Sequence, residues 1–467
     1  MIPNILRILL IAILAVRVSA LAEVEGTNCS SQEAQGKIDN AVRKVLMAMQ
    51  APSASVAIIQ DGKVAYVQAY GDARLNPQVK AKPEMRYCIG SISKQFTAAA
   101  ILMLAEEGKL SLDDPVGRFL PDLTRAREVT IRQVLSHTSG YQDYWPQDYV
   151  PPFMRQPITA DQILDRWARR PLDFEPGTDY QYSNTGYVIA GLIVERASGR
   201  PLLAFLRDRI FIPLGMRSVV DVDQDRLTDA DALGYLRYGL GPPRLAPKEG
   251  EGWLFAAGEL AMTAEDLAKW DLSVLQQTLL KPESYRVMES AVVLKNGIAS
   301  NYGLGVNVNR TVSRRTIAHG GEVSGFMAHN AIYPDEKAAV VVLCNCEAEA
   351  PLQIEREIAR VLFSDRDSEA QQQLAHRIFE GLQHGQIDRS LFSENGNACF
   401  SEEALNDFKR GLQKLGKPQS LIQTVRRQRG GMTVRIFEVN FRRQKLSIWQ
   451  LTLPDGKLEQ FKVLPSS

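Results

Sequence analysis

Apolar residues recur at Ile38, Val42, Val45, Leu46 and Met49, a helical stripe over residues 31–50. The period then shortens. Two strand-like runs, 56–59 and 64–70, flank Asp61-Gly62, a tight-turn pair, and predict a hairpin. An apolar stretch from Met85 to Ile89 breaks at Gly90, and a helical pattern with Phe96, Ala100 and Leu104 inward runs from Ser91 to about Glu107, closed by Gly108. Between 130 and 275 helices alternate with long loops. One Pro-rich loop gathers Tyr141, Tyr144, Trp145, Tyr149 and Phe153, either a loop packed by its own aromatics or the lip of a binding site. Strand patterns return at 301–308, 316–319, 325–333 and 338–344, with a turn at Pro334-Asp335-Glu336-Lys337, and a helix follows over about 352–363. Strands from both ends of this region with helices between them predict an α+β fold, an antiparallel sheet flanked by helices plus a helical insert.

At 364–369 the chain turns polar, and a second, small α+β unit over 370–467 is expected. It reads as helices at 373–383 and 402–414 and strands at 420–427, 432–441, 445–453 and 458–463, with a turn at Pro454-Asp455-Gly456. Arg426, Arg427, Arg429, Arg442 and Arg443 make it locally basic, as a solvated sheet face does.

With 467 residues, 45% hydrophobic and 23% charged, the chain has room for two or three domains. A formal charge of +1 gives no electrostatic footprint for nucleic acid. Residues 1–22 have the parts of a secretory signal: Arg7, an apolar run over 8–16, and Val18-Ser19-Ala20 or Ala20-Leu21-Ala22 as cleavage site. The run is short and Arg17 interrupts it, which argues against an uncleaved anchor. A secreted or periplasmic protein is therefore expected, with no integral membrane segment in the mature chain. Five cysteines, Cys29, Cys88, Cys344, Cys346 and Cys399, are too few and too scattered for a disulfide framework, although one bridge from Cys29 or Cys399 stays open. Cys344-Asn345-Cys346 has no second ligand pair, and His329, His376 and His384 show no ligand spacing, so neither a metal nor a cofactor is expected.

The candidate chemistry starts at Ser91-Ile92-Ser93-Lys94. A Ser opening a helix with Lys three residues on puts a hydroxyl and an amine on one face, a nucleophile beside a base. A helix N-cap is the bland alternative for Ser91. Three further stations follow: Leu135-Ser136-His137-Thr138-Ser139-Gly140, Tyr182-Ser183-Asn184, and His319-Gly320-Gly321. His137 reads as a brace at a helix end rather than a catalyst. No G-x-S-x-G elbow occurs, since Gly321-Glu322-Val323-Ser324-Gly325 has the wrong spacing, which excludes an α/β-hydrolase site.

Together with Ala256-Ala257-Gly258, these strings resemble, in order and over residues 35–363, the penicillin-recognising serine enzymes. Their members include class C β-lactamases, D,D-carboxypeptidases, D-aminopeptidases and related esterases. The resemblance implies a β-lactamase/transpeptidase-like domain over 31–364, and a weaker one likens the C-terminal unit to a cystatin-like roll. It implies that Ser91 forms an acyl-enzyme with Lys94 and Tyr182 as proton-transfer groups, either of them the base. Asn184 would meet Lys94 and the substrate amide. The N–H groups of Ser91 and Glu322 would form the oxyanion hole. Gly320 and Gly321 would leave the strand edge open to substrate. His319 stands where many relatives have Lys, and would bond a substrate carboxylate or relay protons. The implied substrate is a small molecule or a peptidoglycan peptide: D-amino-acid peptides, esters or, with His in place of Lys, less readily β-lactams. A penicillin-binding sensor that acylates without turnover is the rival, and the oligomeric state is open.

Overall fold

The computed structural model of the protein describes residues 28–466, apart from 148, 226, 312–313 and 364–365. The leader expected at 1–22 lies outside the described residues. Among the described residues, no helix is long and apolar enough to cross a membrane.

A seven-stranded antiparallel sheet is the frame: β1 (Ser53–Gln60), β2 (Lys63–Leu75), β3 (Gln78–Lys80), β4 (Asn307–Thr311), β5 (Arg314–Val323), β6 (Phe326–Tyr333) and β7 (Ala338–Cys344), in the order β3-β2-β1-β7-β6-β5-β4. The first hairpin and the last meander meet at β1 and β7, where Val56 lies opposite Val342. Alternation along β1 is hard to see in the sequence because both faces are covered. Ala54, Val56 and Ile58 pack under α1 (Gln32–Met49), whereas Ala57 and Ile59 join the other core, which holds α2 (Ser93–Glu106), α3 (Asn184–Ser198) and α4 (Ala264–Gln276). Helix α5 (Ala350–Leu362) shares the α1 face and presents Ile354, Ile358 and Leu362. Truncating Ile358, fully buried there, to Ala would cost about 2–5 kcal/mol.

The strand expected over 301–308 is shifted: β4 begins at Asn307. Tyr302, Leu304 and Val306 alternate with glycines in the sequence as in a strand, but residues 302–306 are all buried, and the segment packs on α2 through Gly305 rather than pairing along its length. The helix expected from Ser91 starts with a 3-10 turn, Gly90–Ile92, and becomes α-helical at Ser93.

After α5 come α6 (Arg366–Gln383), a short helix Glu394–Ala398, α7 (Glu402–Leu412) and a four-stranded meander: β8 (Ser420–Arg429), β9 (Met432–Asn440), β10 (Lys445–Thr452) and β11 (Leu458–Pro465). Its core, including Phe379, Phe437, Ile448 and Phe461, is drawn from residues between Leu374 and Val463. All five cysteines are unbridged; four are buried and Cys399 is exposed.

Candidate active site

Ser91 does not cap α2. The capping position falls on Ile92, which makes no side-chain cap bond, and the Ser91 hydroxyl faces Lys94 and Tyr182 instead. Lys94 is fully buried on the first turn of α2. Its Nζ lies 2.9 Å from Ser91 Oγ, 2.8 Å from Asn184 Oδ1 and 2.8 Å from the Ala257 carbonyl. Desolvation pulls the Lys94 ammonium down to about 7, against the opposing fields of Asp143 and Glu259.

The second wall is the start of α3. Ser183 is its N-cap and accepts from Gly186 N–H at 3.3 Å, so the middle residue of Tyr182-Ser183-Asn184 holds the helix while its neighbours face the cleft. His137, in a left-handed conformation with φ 58°, accepts the Ser183 N–H on Nδ1 at 3.1 Å, and its ring lies 4.2 Å from that of Tyr182. It braces the Tyr182 loop, more than the helix end at which its string places it. The Lys94 Nζ sits 5.0 Å from the Tyr182 ring centroid. Burial pushes the Tyr182 phenol above its ordinary value, with a smaller opposing effect from its bond to Ser91. The phenol is therefore protonated at neutral pH.

The third wall is β5. His319 is buried, and both ring nitrogens are engaged: Nδ1 with the Gly320 carbonyl at 2.5 Å and Nε2 with the Tyr302 hydroxyl at 2.8 Å. A carbonyl only accepts, so the proton sits on Nδ1 and Nε2 accepts from Tyr302. Burial, with the Lys94 field beside it, holds this imidazole down to about 3. Neither nitrogen is left to meet a substrate carboxylate, which corrects the donor role expected of His319.

The glycines also divide. A Cβ on Gly320 would meet nothing nearer than 4.0 Å, so this position is open. A Cβ on Gly321 would lie 1.8 Å from the Ile89 carbonyl, and one on Gly90 would lie 2.6 Å from the Glu322 nitrogen. Gly321 is required because β5 presses on the turn that carries Ser91, a reason other than the open strand edge expected. That same packing brings the Glu322 amide beside Gly90.

These walls enclose a cleft of about 500 Å³. Tyr144, Trp145 and Tyr149 line it, while Tyr141 is buried and bonds the Thr124 carbonyl at 2.9 Å. The aromatic loop is thus anchored by some of its rings and offers others to the cleft. Two residues of the site carry no motif. Tyr302 lies in a stretch whose alternation reads as a strand. Asp143, between the aromatics, accepts from the Asn184 and Trp145 amides at 2.9 and 3.3 Å and lies 3.4 Å from Asn184 Nδ2. An acid placed shortly after the Leu135-to-Gly140 string was its one signal.

Fold and site together define a protein of the penicillin-recognising serine hydrolase class. The sequence profile of the Beta-lactamase family matches residues 38–363, and the chain belongs to that family. It is 29% identical over 318 residues to a D-aminopeptidase of Brucella anthropi, covering 67% of this chain and 60% of that protein. It is 30% identical over 308 residues to penicillin-binding protein 4* of Bacillus subtilis, covering 63% of this chain and 68% of that protein. Among solved structures, the D-amino acid amidase of Ochrobactrum anthropi SV3 in complex with D-phenylalanine matches with a TM-score of 0.61 and 25% identity over 71% of this chain and 99% of that one. The octameric penicillin-binding protein homologue of Pyrococcus abyssi matches in fold over 93% of this chain and 94% of that one, with a TM-score of 0.63 and 23% identity.

Proposed function

We propose that the protein is an exported serine hydrolase that forms an acyl-enzyme at Ser91 and releases it to water, acting on amides and peptides of D-amino acids. The observation that carries this reading is the bonding of Lys94. A neutral amine has two hydrogens and one lone pair. The Ala257 carbonyl and Asn184 Oδ1 only accept, so they take the two hydrogens and the lone pair faces Ser91 Oγ. A Lys held to about 7 is substantially neutral at physiological pH, so it accepts the Ser91 proton as Oγ attacks the acyl carbon. The N–H groups of Ser91 and Glu322 stabilise the oxyanion. The C–N bond then breaks, and the leaving amine takes a proton from Lys94 through the Tyr182 phenol. Water repeats the sequence on the Ser91 ester and restores the hydroxyl.

The substrate class draws on the names of the relatives and on the charge of the cleft. Glu322, Glu347 and Glu349 are exposed along it, and its described lining holds no Arg or Lys. Such a mouth favours a substrate with a free ammonium over one ending in a carboxylate. D-Alanine and D-phenylalanine amides are therefore expected to turn over better than N-acylated D-Ala-D-Ala peptides or β-lactams. The test is amide hydrolysis with intact-mass analysis of the native and Ser91→Ala proteins. Turnover with a transient acyl adduct in the native protein alone supports the reading. Turnover retained in pure Ser91→Ala protein ends it, and a stable adduct without product would make the protein a sensor.

A further inference from the structure

We propose that Asp143 is a positioning residue that fixes the amide orientation of Asn184 and thereby aims the lone pair of Lys94 at Ser91. The inference rests on the reading of Lys94 as the base. Asp143 sits in the aromatic loop, far from α3 in sequence, yet its Oδ1 takes the N–H of Asn184 at 2.9 Å and that of Trp145 at 3.3 Å. Its Oδ2 faces Asn184 Nδ2 at 3.4 Å. Burial pushes the Asp143 carboxyl up, opposed by the Asn184 and Trp145 N–H bonds and the Lys94 field; in its ionised form it only accepts, whereas an Asn side chain has a donor end and an acceptor end. Asp143 therefore draws the NH₂ end of Asn184 towards itself and turns Oδ1 towards Lys94, 2.8 Å away.

The consequence lies one bond further on. With Oδ1 facing it, Lys94 meets two acceptors, Asn184 and Ala257, and its third direction is left for Ser91. Were Asn184 reversed, its NH₂ end would face Lys94. The lone pair of the amine would turn to that donor, and Ser91 would face an N–H instead of a base. The loop that lines the cleft thus also sets the polarity of the catalytic hydrogen bonds. Tyr141, bonded to the Thr124 carbonyl, and Tyr144, bonded to the Trp253 carbonyl, anchor the loop on either side of Asp143.

Asp143 also acts through its field. The groups facing Lys94 are Asp143 and Glu259, which favour its charged form, the phenols of Tyr182 and Tyr187, and the neighbouring imidazoles of His137 and His319. Both imidazoles are held neutral by burial, and burial also pushes the Glu259 carboxyl well above its ordinary range, which leaves Asp143, pushed up less, as the charge that sets the amine.

The experiment is the pH dependence of kcat/KM for a D-amino acid amide with the full-length native protein and Asp143→Asn. The introduced side-chain amide presents a donor where the carboxylate only accepts, which favours the reversed Asn184, and it removes a negative charge near Lys94. The expected result is a loss of about 10²-fold in kcat, with the acid limb moved down by about one pH unit and the thermal midpoint little changed. A native rate, or a lowered rate with an unmoved limb, overturns the proposal. If Asp143→Asn does not fold, Asp143→Glu replaces it. The charge is kept, so the limb stays, while the longer side chain displaces Asn184 and the rate falls; an unchanged rate overturns the proposal. Native turnover that survives Ser91→Ala would instead remove the reading on which the inference stands.

Discussion

The helical and strand walls of the cleft each bury a titratable group, and they use it in opposite ways. On the helical wall Lys94 has two acceptors, and its remaining direction points at Ser91. On the strand wall both nitrogens of His319 are engaged, by Tyr302 and by the main chain of its own strand. Burial lowers both groups, Lys94 to about 7 and His319 to about 3. The first value lies where a base is useful at neutral pH, and the second lies where an imidazole is inert. The difference teaches that burial alone does not make a catalytic group. What matters is whether the partners leave one bonding direction free toward the reacting atom. On the strand wall the proposed contribution is instead that of the backbone, at the Glu322 amide beside Gly90.

The largest effect that would break this comparison is loss of the amine. Lys94→Met is expected to lower turnover by about 10³-fold, measured as amide hydrolysis at pH 8. The same variant tests the burial directly. A fall from 10.5 to about 7 corresponds to at most about 5 kcal/mol of penalty on the buried ammonium. Between those two values the unfolded chain binds more protons than the folded one, so native stability rises with pH from this group. Denaturation of both proteins from pH 7 to 10 should show the native protein gaining on Lys94→Met; parallel curves would mean that Lys94 is not desolvated.

Tyr182→Phe comes next. It removes the phenol bonded to Ser91 and keeps the ring beside His137 and Lys94. A loss of about 10²-fold in kcat is expected, larger for amides than for esters, whose leaving groups need less protonation. An equal loss on both would deny it the proton-donor role. His319→Gln should do least, within about fivefold, because the imidazole holds Tyr302 rather than substrate. A loss as large as that of Lys94→Met would erase the contrast between the walls.

How much of this was legible in the sequence follows from the range of each interaction. Ser91 and Lys94 are three residues apart, so helix geometry alone put them together, and the local 3-10 start did not disturb it. The strands 338–344 and 326–333 could be read from apolar runs and a turn. The segment around Tyr302 misled because two glycines between buried residues mimic strand alternation. His319 was legible as a residue of the cleft, but its Tyr302 partner comes from that segment, so its engagement was hidden. Asp143 left no periodic trace, since an acid in a loop acquires meaning only when the fold brings Asn184 to it. Gly321 was recognisable as necessary for a reason the structure replaces, its contact with the turn that carries Ser91.

The most direct test of the central claim is the pH dependence of the Ser91 acylation rate, followed by rapid-quench mass analysis with a D-amino acid ester, in the native protein and in His319→Gln. Lys94 as base predicts that the rate falls as pH drops through about 7 in both proteins, with the same midpoint. If that acid limb vanished in His319→Gln, the titrating group would be the imidazole, and the assignment of the two walls would be wrong.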